Sequence, residues 1–214
     1  STLPEMFPVG LLDDALVYEF NTMESSWLEN LGNNRFARHA LPVPVQIAPV
    51  YGTAVTDLDQ DGRLDLLMVG NDYGMEVQQG RADAFMGMAL RNVGDGFVPV
   101  ARSQSGFFVP GDGKALIRLE QQGGSVVWVA SQNNDRLKAF ENPRAGQLLR
   151  VAPEEGRAVV RMQDGSSQVH EFYWGSGFHS QSGRFLEVTP AIETIEFFDA
   201  AGNKVRTVEN AGGA

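Results

Sequence analysis

The sequence predicts an all-β fold: a partial β-propeller of two to three blades of antiparallel strands, followed by a small C-terminal antiparallel β module. Three observations predict it. A stretch of roughly 60 residues occurs twice along the chain, and in each copy short apolar runs flank a glycine-containing turn. Stacked units of four short strands are typical of propeller blades. Beyond the second copy the pattern ends, and two further hairpin-like stretches follow.

The internal repeat is visible when the chain is aligned with itself. The segment "SSWLENLGNNRF" (25–36) returns as "GMALRNVGDGF" (87–97), with matched asparagines and glycines 62 positions apart. The segment "GTAVTDLDQDGRLDLLMVGN" (52–71) then matches "GKALIRLEQQGGSVVWVASQ" (113–132) at an offset of 61. Both of the longer segments have apolar runs on either side of a turn, which predicts a hairpin in each copy.

The repeat predicts the domain organisation. An N-terminal segment (1–19) precedes two propeller-type repeats within 20–142, the first at 20–82 and the second at 83–142, and a β module occupies 143–214. Because propellers close with about 4 to 8 blades, two or three blades leave the ring open. We therefore expect either the remaining blades in a larger parent protein or a C-terminal segment that covers the open edge.

The C-terminal part has two hairpin signals. The stretch "GRAVVRMQDGSSQVHEFYWG" (156–175) is predicted to turn at Asp164-Gly165, and "TIEFFDAAGNKVRTV" (194–208) is predicted to turn at residues 201–203. Helix is expected to be minor, with a short turn within residues 10–17.

Four aspartates crowd into the predicted turn of the first repeat, in "TDLDQDGRLDLLMVGN" (56–71). Carboxylates this close repel each other unless a cation neutralises them. Calcium takes about 6 to 8 oxygen ligands, and Gly62 supplies the sharp turn that such a loop needs. The predicted ligands of a structural Ca²⁺ are the carboxylates of Asp57, Asp59, Asp61 and Asp65, the backbone carbonyl of Arg63, and water.

The acidic loop has two other interpretations. An EF-hand loop ends in a bidentate Glu at its twelfth position, but counting twelve from Asp57 gives Met68, and the flanks are predicted strands. The other alternative is a solvated hairpin turn without an ion. The second repeat loses the carboxylate set and is expected to bind nothing. Its residues at the four aspartate positions are Arg118, Glu120, Gln122 and Val126.

The motif resembles a known family. The segments "LENLGNNRF" and "DLDQDGRLDLLMVGN" resemble the FG-GAP/VCBS repeat of integrin-α-type β-propellers, whose blade loops carry a D-x-D-x-D-G-x-x-D calcium site. The segments "GSGFHSQSGRFLEV" (175–188) and "IETIEFFDAAGNKVRTV" (192–208) resemble the ASPIC/UnbV domain, which follows such propellers in secreted bacterial proteins and in cartilage acidic protein. The resemblance implies an exported bacterial protein, extracellular, at the cell surface or periplasmic, with a binding or adhesion role and no catalysis.

Composition argues against several classes of function. The chain has 17 basic and 27 acidic residues and a net charge of -10, which opposes binding to nucleic acids and anionic membranes. No stretch approaches the roughly 18 apolar residues of a membrane span, so we expect no membrane insertion. The absence of cysteine excludes disulfides and thiolate chemistry. The start at Ser1, without Met, suggests a fragment of a larger protein.

The sequence predicts a non-enzymatic protein, because no nucleophile, base or metal-binding histidine set occurs at a catalytic spacing. The long polar loop 71–87 follows a predicted strand, and loops of this kind are where rigid scaffolds place binding residues. Aromatic residues near position 174 suggest a platform for a sugar, with core packing as the alternative. The candidate ligand-binding residues are Asp72, Tyr73, Glu76, Arg81 and Trp174.

Three functions remain open from the sequence. The first is a calcium-stabilised binding or adhesion module that recognises a glycan or a protein. The second is a part or accessory domain of a polysaccharide-acting enzyme, and the third is a structural spacer.

Overall fold

The structure is a computed structural model that describes residues 3–142 and 147–210. The described residues form an all-β protein, as predicted, with several small antiparallel sheets, none of which closes into a barrel. Within these two ranges, helix is limited to α1 (Leu3–Met6), α2 (Arg102–Ser105) and a 3₁₀ turn (Val43–Val45). No helix in these ranges is long and apolar enough to cross a membrane.

The strands follow one another in short segments. They are β1 (Ser26–Gly32), β2 (Arg35–Ala40), β3 (Val50–Thr56), β4 (Asp65–Gly70), β5 (Met88–Asn92), β6 (Phe97–Val100), β7 (Gly113–Glu120), β8 (Val126–Gln132), β9 (Lys138–Asn142), β10 (Gln147–Arg150), β11 (Arg157–Met162), β12 (Ser167–Glu171), β13 (Phe185–Val188), β14 (Ile192–Phe198) and β15 (Lys204–Glu209).

Two sheets carry the repeated segments. The first has the order β3-β4-β5-β6 and the second has the order β7-β8-β9, while β1 and β2 form a separate hairpin. The first sheet joins a hairpin from residues 50–70 to a hairpin from residues 88–100, so its strands come from both sides of position 82. Strand starts follow the offsets of the repeat, since Ser26 and Met88 lie 62 positions apart and Asp65 and Val126 lie 61 apart.

The two sheets pack against each other through apolar side chains. Strand β4 is buried along most of its length, in keeping with its near-continuous apolar run. The core between the sheets is built mainly from Ala54, Leu67, Val69, Ala89, Phe107, Val109, Leu116, Val126, Trp128, Ala130 and Phe185. Phe185 belongs to β13, so the C-terminal part of the chain contributes to this core.

The C-terminal part has its own four-stranded sheet, with the order β12-β11-β14-β15, and a two-stranded sheet of β10 and β13. Both predicted hairpins are present, β11–β12 with its turn at Asp164-Gly165 and β14–β15 with its turn around residues 199–203. The Gly183 amide donates to the Arg118 carbonyl at 2.8 Å, which ties this part to β7. The predicted start of the module, residue 143, lies outside the described residues.

Candidate metal centre

The acidic loop connects β3 to β4 and forms the tip of a hairpin. Asp57, Asp59 and Asp61 each bring one carboxylate oxygen to within 4.8 Å of the others, in an arrangement that can hold a metal ion. All of the contributing atoms are oxygens, and carboxylate oxygens are the donors that hard cations prefer. The residues present therefore fit a hard divalent cation.

Backbone N–H groups hold this loop in shape around Asp57. The Asp61 amide donates to one Asp57 oxygen at 3.2 Å, and the Gly62 amide donates to the other at 2.9 Å. Gly62 has a φ of +86°, in the left-handed region where a side chain is strained. The glycine is thus required by the turn, as the sequence predicts.

Asp65 occupies a different place from the three loop aspartates. It is the first residue of β4, and it is almost fully buried. One of its oxygens accepts from the Leu58 amide at 2.9 Å and the other accepts from the Asn92 amide at 2.8 Å. The carboxylate therefore joins the loop to β5. Asp65 is not among the three clustered aspartates, and its role as a ligand stays a prediction.

Arg63 contributes a positive charge to the loop. Its guanidinium pairs with the Asp61 carboxylate, and its Nε donates to the Asn92 carbonyl at 3.0 Å. An ion bound by Asp61 must therefore share that carboxylate with the guanidinium. The predicted use of the Arg63 backbone carbonyl as a ligand stays a prediction.

Burial makes two of these carboxylates costly to ionise. Burial raises the pKa of Asp57 above its ordinary value, although N–H groups of Gly62 and Gln60 oppose the rise, and Asp61 and Asp59 add a smaller repulsion. Burial likewise raises the pKa of Asp65, against the stabilising N–H groups of Asn92 and Leu58. A cation at the loop would favour the charged forms and offset this cost.

Residues of the C-terminal part form hydrogen bonds to the acidic loop and to the end of β3 that leads into it. The Gln168 amide donates to the Gly62 carbonyl at 2.7 Å, and the Thr56 hydroxyl donates to Glu187 at 3.3 Å. Glu187 also lies 3.6 Å from the Arg118 guanidinium, where burial raises the pKa of the glutamate. The bonds of Gln168 and Thr56 join residues more than a hundred positions apart, so no local sequence pattern could have revealed them.

His170 lines the same small space beneath the loop, a cavity of about 40 Å³. Burial, followed by repulsion from Arg118, lowers the pKa of His170 to about 4. The histidine is therefore neutral at physiological pH. A neutral, half-buried histidine on a strand is more typical of a packing residue than of a metal ligand.

The candidate ligand-binding residues of the 71–87 loop lie at the end of the hairpin where β4 leaves the sheet. The Arg81 guanidinium lies 5.1 Å from the centre of the Tyr73 ring, and Asp72 accepts a hydrogen bond from the Tyr51 hydroxyl at 2.9 Å. Glu76 is exposed, and its carbonyl accepts from two amides of the loop's own turn. The structure thus pairs Tyr73 with Arg81, but it gives Glu76 no contact that joins it to them among the described residues.

Trp174, the remaining candidate, belongs to the C-terminal part. The residue is 68% exposed, and the Arg184 guanidinium lies 4.4 Å from the centre of its ring. No direct contact links it to the 71–87 loop within the described ranges. The nearby Phe178 ring reaches toward that end of the hairpin and meets Tyr51 edge-on at 5.9 Å.

A polar cluster around Lys114 was not predicted from the sequence. The Lys114 ammonium lies 3.7 Å from the centre of the Tyr51 ring, 2.7 Å from Asp112 and 3.9 Å from Asp72. Lys114 stands next to Gly113, the residue that matches Gly52 in the repeat, so it belongs to the strand that packs beside β3. Only that packing brings the ammonium to Tyr51 and Asp72.

No protein-family model matches this sequence, and a comparison with characterised proteins found no match either.

Proposed function

We propose that this chain is a calcium-stabilised, non-enzymatic binding or adhesion module of a larger exported protein. The ion is Ca²⁺ and its role is structural: it neutralises the acidic loop and fixes the tip of the β3–β4 hairpin. The module recognises a glycan or a protein, and it works outside the cytoplasm, in the extracellular space, at the cell surface or in the periplasm.

One observation carries the proposal. Asp57, Asp59 and Asp61 converge at the tip of a β-hairpin, with their oxygens within 4.8 Å of one another. Burial raises the pKa of Asp57, so its charged form is costly, and a cation bound at the loop would stabilise that form. Calcium accepts more ligands and more variable geometry than magnesium, which suits a loop whose other ligands include backbone oxygen and water.

The resemblance to FG-GAP/VCBS repeats and to the ASPIC/UnbV domain supports the same proposal. In the alignment of the two repeats, β1 corresponds to β5, and β5 pairs along one of its edges with β4. Within the described residues β1 pairs only with β2. We propose that the free edge of β1 receives the equivalent of β4 from a further blade of the parent protein.

The acidic loop between β3 and β4 is called the metal loop from here on. We propose that the recognition surface lies at the opposite end of the β3–β4 hairpin. Tyr73 and Arg81 form an aromatic and cationic pair there, and Asp72 adds a carboxylate. Trp174 offers an exposed ring on the C-terminal part. Exposed aromatic rings beside polar groups are suited to the faces of sugars and to protein side chains.

Isothermal titration with CaCl₂ tests the metal part of the proposal. The wild-type protein is expected to bind one Ca²⁺ more tightly than Mg²⁺, and Asp59→Asn is expected to weaken binding strongly because it removes a charged ligand. Asp164→Asn, in a hairpin turn of the C-terminal sheet, is the matched control and should bind as the wild type does. Absence of heat and of any calcium-induced spectral change in the wild type would refute the metal site.

A glycan array, followed by a pull-down with Tyr73→Ala and Trp174→Ala variants, tests recognition. Binding without turnover supports the module proposed here. Release of product from a polysaccharide would instead favour an enzyme or its accessory domain, and the absence of both would favour a structural spacer.

A further inference from the structure

A cavity of about 440 Å³ lies between the β3–β6 sheet and the β7–β9 sheet. Its inner wall is apolar and partly aromatic, with Leu67 and Ala89 on one sheet, Trp128 and Phe140 on the other, and Phe107 between them. The Phe107 and Phe140 rings lie 4.7 Å apart. Its volume falls within the roughly 300 to 1,000 Å³ of pockets that bind small molecules.

Trp128, which lines this cavity, has an unused hydrogen-bond donor. The side chain is only 2% exposed, and its Nε1–H has no acceptor among the described residues. A buried donor without a partner costs about 1–3 kcal/mol, so such groups are rare in native proteins unless a water or a ligand completes them. Trp128 also lines a smaller cavity of about 210 Å³, which lies between strands β3 and β7 on one side and residues 182–184 on the other.

Charge at the larger cavity restricts what can enter. Among the described residues, three acidic residues line it, Asp59, Asp65 and Glu141, against one arginine, Arg91. In a partly enclosed space this excess of negative charge opposes an anion, and a cation bound at the acidic loop would reduce the excess. The apolar wall, in turn, opposes a strongly hydrated molecule.

We propose that the cavity between the two sheets binds an uncharged small molecule with an aromatic or alicyclic ring and one hydrogen-bond acceptor. The ring packs among the side chains of Leu67, Phe107 and Phe140, and the acceptor receives the Trp128 N–H. The site borders the acidic loop, since Leu58, Asp59 and Asp65 line it, and it is separate from the recognition surface. No part of the proposed function requires it.

Three fluorinated probes test this chemistry on the whole protein in calcium-containing buffer. The probe 4′-fluoroacetophenone has a ring and a neutral acceptor, fluorobenzene has the ring alone, and 4-fluorobenzoate carries a negative charge. Fluorine NMR is expected to show that 4′-fluoroacetophenone binds most tightly, fluorobenzene less tightly and 4-fluorobenzoate least tightly. The first probe is expected to shift one indole N–H signal, that of Trp128, out of the three that the tryptophans give.

Variants locate the site. Trp128→Phe keeps a ring but removes the donor, and it is expected to weaken 4′-fluoroacetophenone about five- to tenfold while it leaves fluorobenzene nearly unchanged. Trp174→Phe is the control, since that ring lies outside the cavity. Ala89→Leu fills the larger cavity and should abolish binding, whereas Ala54→Val, at a residue that lines only the smaller cavity, should retain it.

Gln104→Trp provides a cavity-blocking variant that does not depend on core packing, since Gln104 is exposed at the mouth. It is expected to abolish probe binding with an unchanged melting temperature. The proposal is overturned if 4′-fluoroacetophenone leaves the Trp128 indole signal unmoved, if benzoate binds best, or if Gln104→Trp binds as the wild type does. Loss of binding in Ala54→Val alone would move the site to the smaller cavity and also overturn it.

Discussion

Asn71 shows how a single polar residue fixes the loop that follows β4. It is fully buried and has a φ of +88°. Its side-chain amide donates to the carbonyls of Phe85 and Gly111 at 2.7 and 2.9 Å, and its oxygen accepts from the Phe85 amide at 2.9 Å. Both ends of the 71–87 loop and the start of the next segment thus meet at one side chain.

Replacement of Asn71 with alanine is expected to destabilise the protein by roughly 2–4 kcal/mol, because it leaves several buried backbone groups unpaired. Chemical denaturation measures the change. Asn134→Ala is the matched control, since Asn134 also has a positive φ, of 59°, but is exposed. The control should lose only the backbone preference, about 1 kcal/mol. Equal losses in the two variants would show that the hydrogen bonds contribute little.

The raised pKa of Asp57 makes calcium binding sensitive to mild acid. The folded, metal-free protein holds a proton at Asp57 more tightly than an ordinary aspartate, whose pKa is 3.8, so protons compete with the ion at a higher pH than usual. The calcium affinity is expected to fall as the pH decreases toward that raised pKa, with a limiting slope of about tenfold per pH unit for each protonated ligand.

Calorimetry in buffers of different ionisation enthalpy measures the protons released on binding. Release is expected to grow as the pH decreases through this window, and Asp57→Asn should remove that part of it. A calcium affinity that stays constant down to pH 4 would contradict the assignment of Asp57 as a ligand.

The raised pKa of Asp57 also affects the stability of the metal-free protein. Protonated Asp57 favours folding below the ordinary pKa, and that contribution is lost as the pH rises through the raised value.

The site was predictable from the sequence only where it is local. Asp57, Asp59 and Asp61 lie within five residues, so their spacing alone placed three carboxylates in one turn. The two amides that occupy Asp65, and the pairing of Arg63 with Asp61, depend on the folded course of the backbone. The sequence therefore predicted the acidic loop but not the different surroundings of its four aspartates.

At the scale of elements, two glycines let the hairpins approach each other. A Cβ on Gly52 would lie 2.8 Å from a Val69 methyl and 2.9 Å from the Leu116 amide nitrogen. A Cβ on Gly113, the matched residue of the second repeat, would lie 3.1 Å from the Val69 Cβ and 3.2 Å from backbone atoms of Gly70. Both contacts involve atoms that cannot move aside alone, so the repeat retains glycine where β3 packs beside β7.

Gly52→Ala and Gly113→Ala are each expected to destabilise the protein by about 1–3 kcal/mol, the usual cost of overpacking. Gly96→Ala is the control, because Gly96 lies in the β5–β6 turn with a negative or extended φ and open space at the Cβ position. Thermal melts compare the three variants. A control as unstable as the other two would show that loss of glycine, rather than a clash, is the cause.

Strands were easier to predict than the sheets they form. Apolar runs and turn residues placed β3, β4, β7 and β8 correctly, since those signals are local. Membership of the sheets depends on which hairpins meet, and β4 pairs with β5 across the 71–87 loop. Backbone hydrogen bonds are the same for every strand pair, so the sequence pattern did not specify this partner.

At the scale of the whole molecule, the metal loop rests on both parts of the chain. Its Gly62 carbonyl accepts from Gln168 of the C-terminal sheet, and Thr56 at its base reaches Glu187. On the other side Asp65 binds the Asn92 amide of β5. An ion that orders this loop therefore stabilises contacts between elements that are distant in sequence.

Chelation of calcium is accordingly expected to lower the melting temperature of the whole protein. An ion at a hundred times its dissociation constant stabilises the folded state by about 2.7 kcal/mol, and for a chain of this size each kcal/mol shifts the melting temperature by about 2–4 °C. The expected decrease in excess EDTA is therefore roughly 5–11 °C. Calorimetric scans measure it, and restored calcium should reverse it.

Two variants distinguish a stabilising ion from a general salt effect. Asp59→Asn should melt at the same temperature with and without calcium, near the temperature of the chelated wild type, because it lacks one of the clustered carboxylates. Gln168→Leu removes the bond between the C-terminal sheet and the Gly62 carbonyl. In that variant calcium should still bind, but hydrogen exchange should show less protection of β12, since the ordered loop is no longer tied to it. If β12 is equally protected with and without Gln168, the ion stabilises its own hairpin alone, and the two parts of the chain are joined by their apolar core instead.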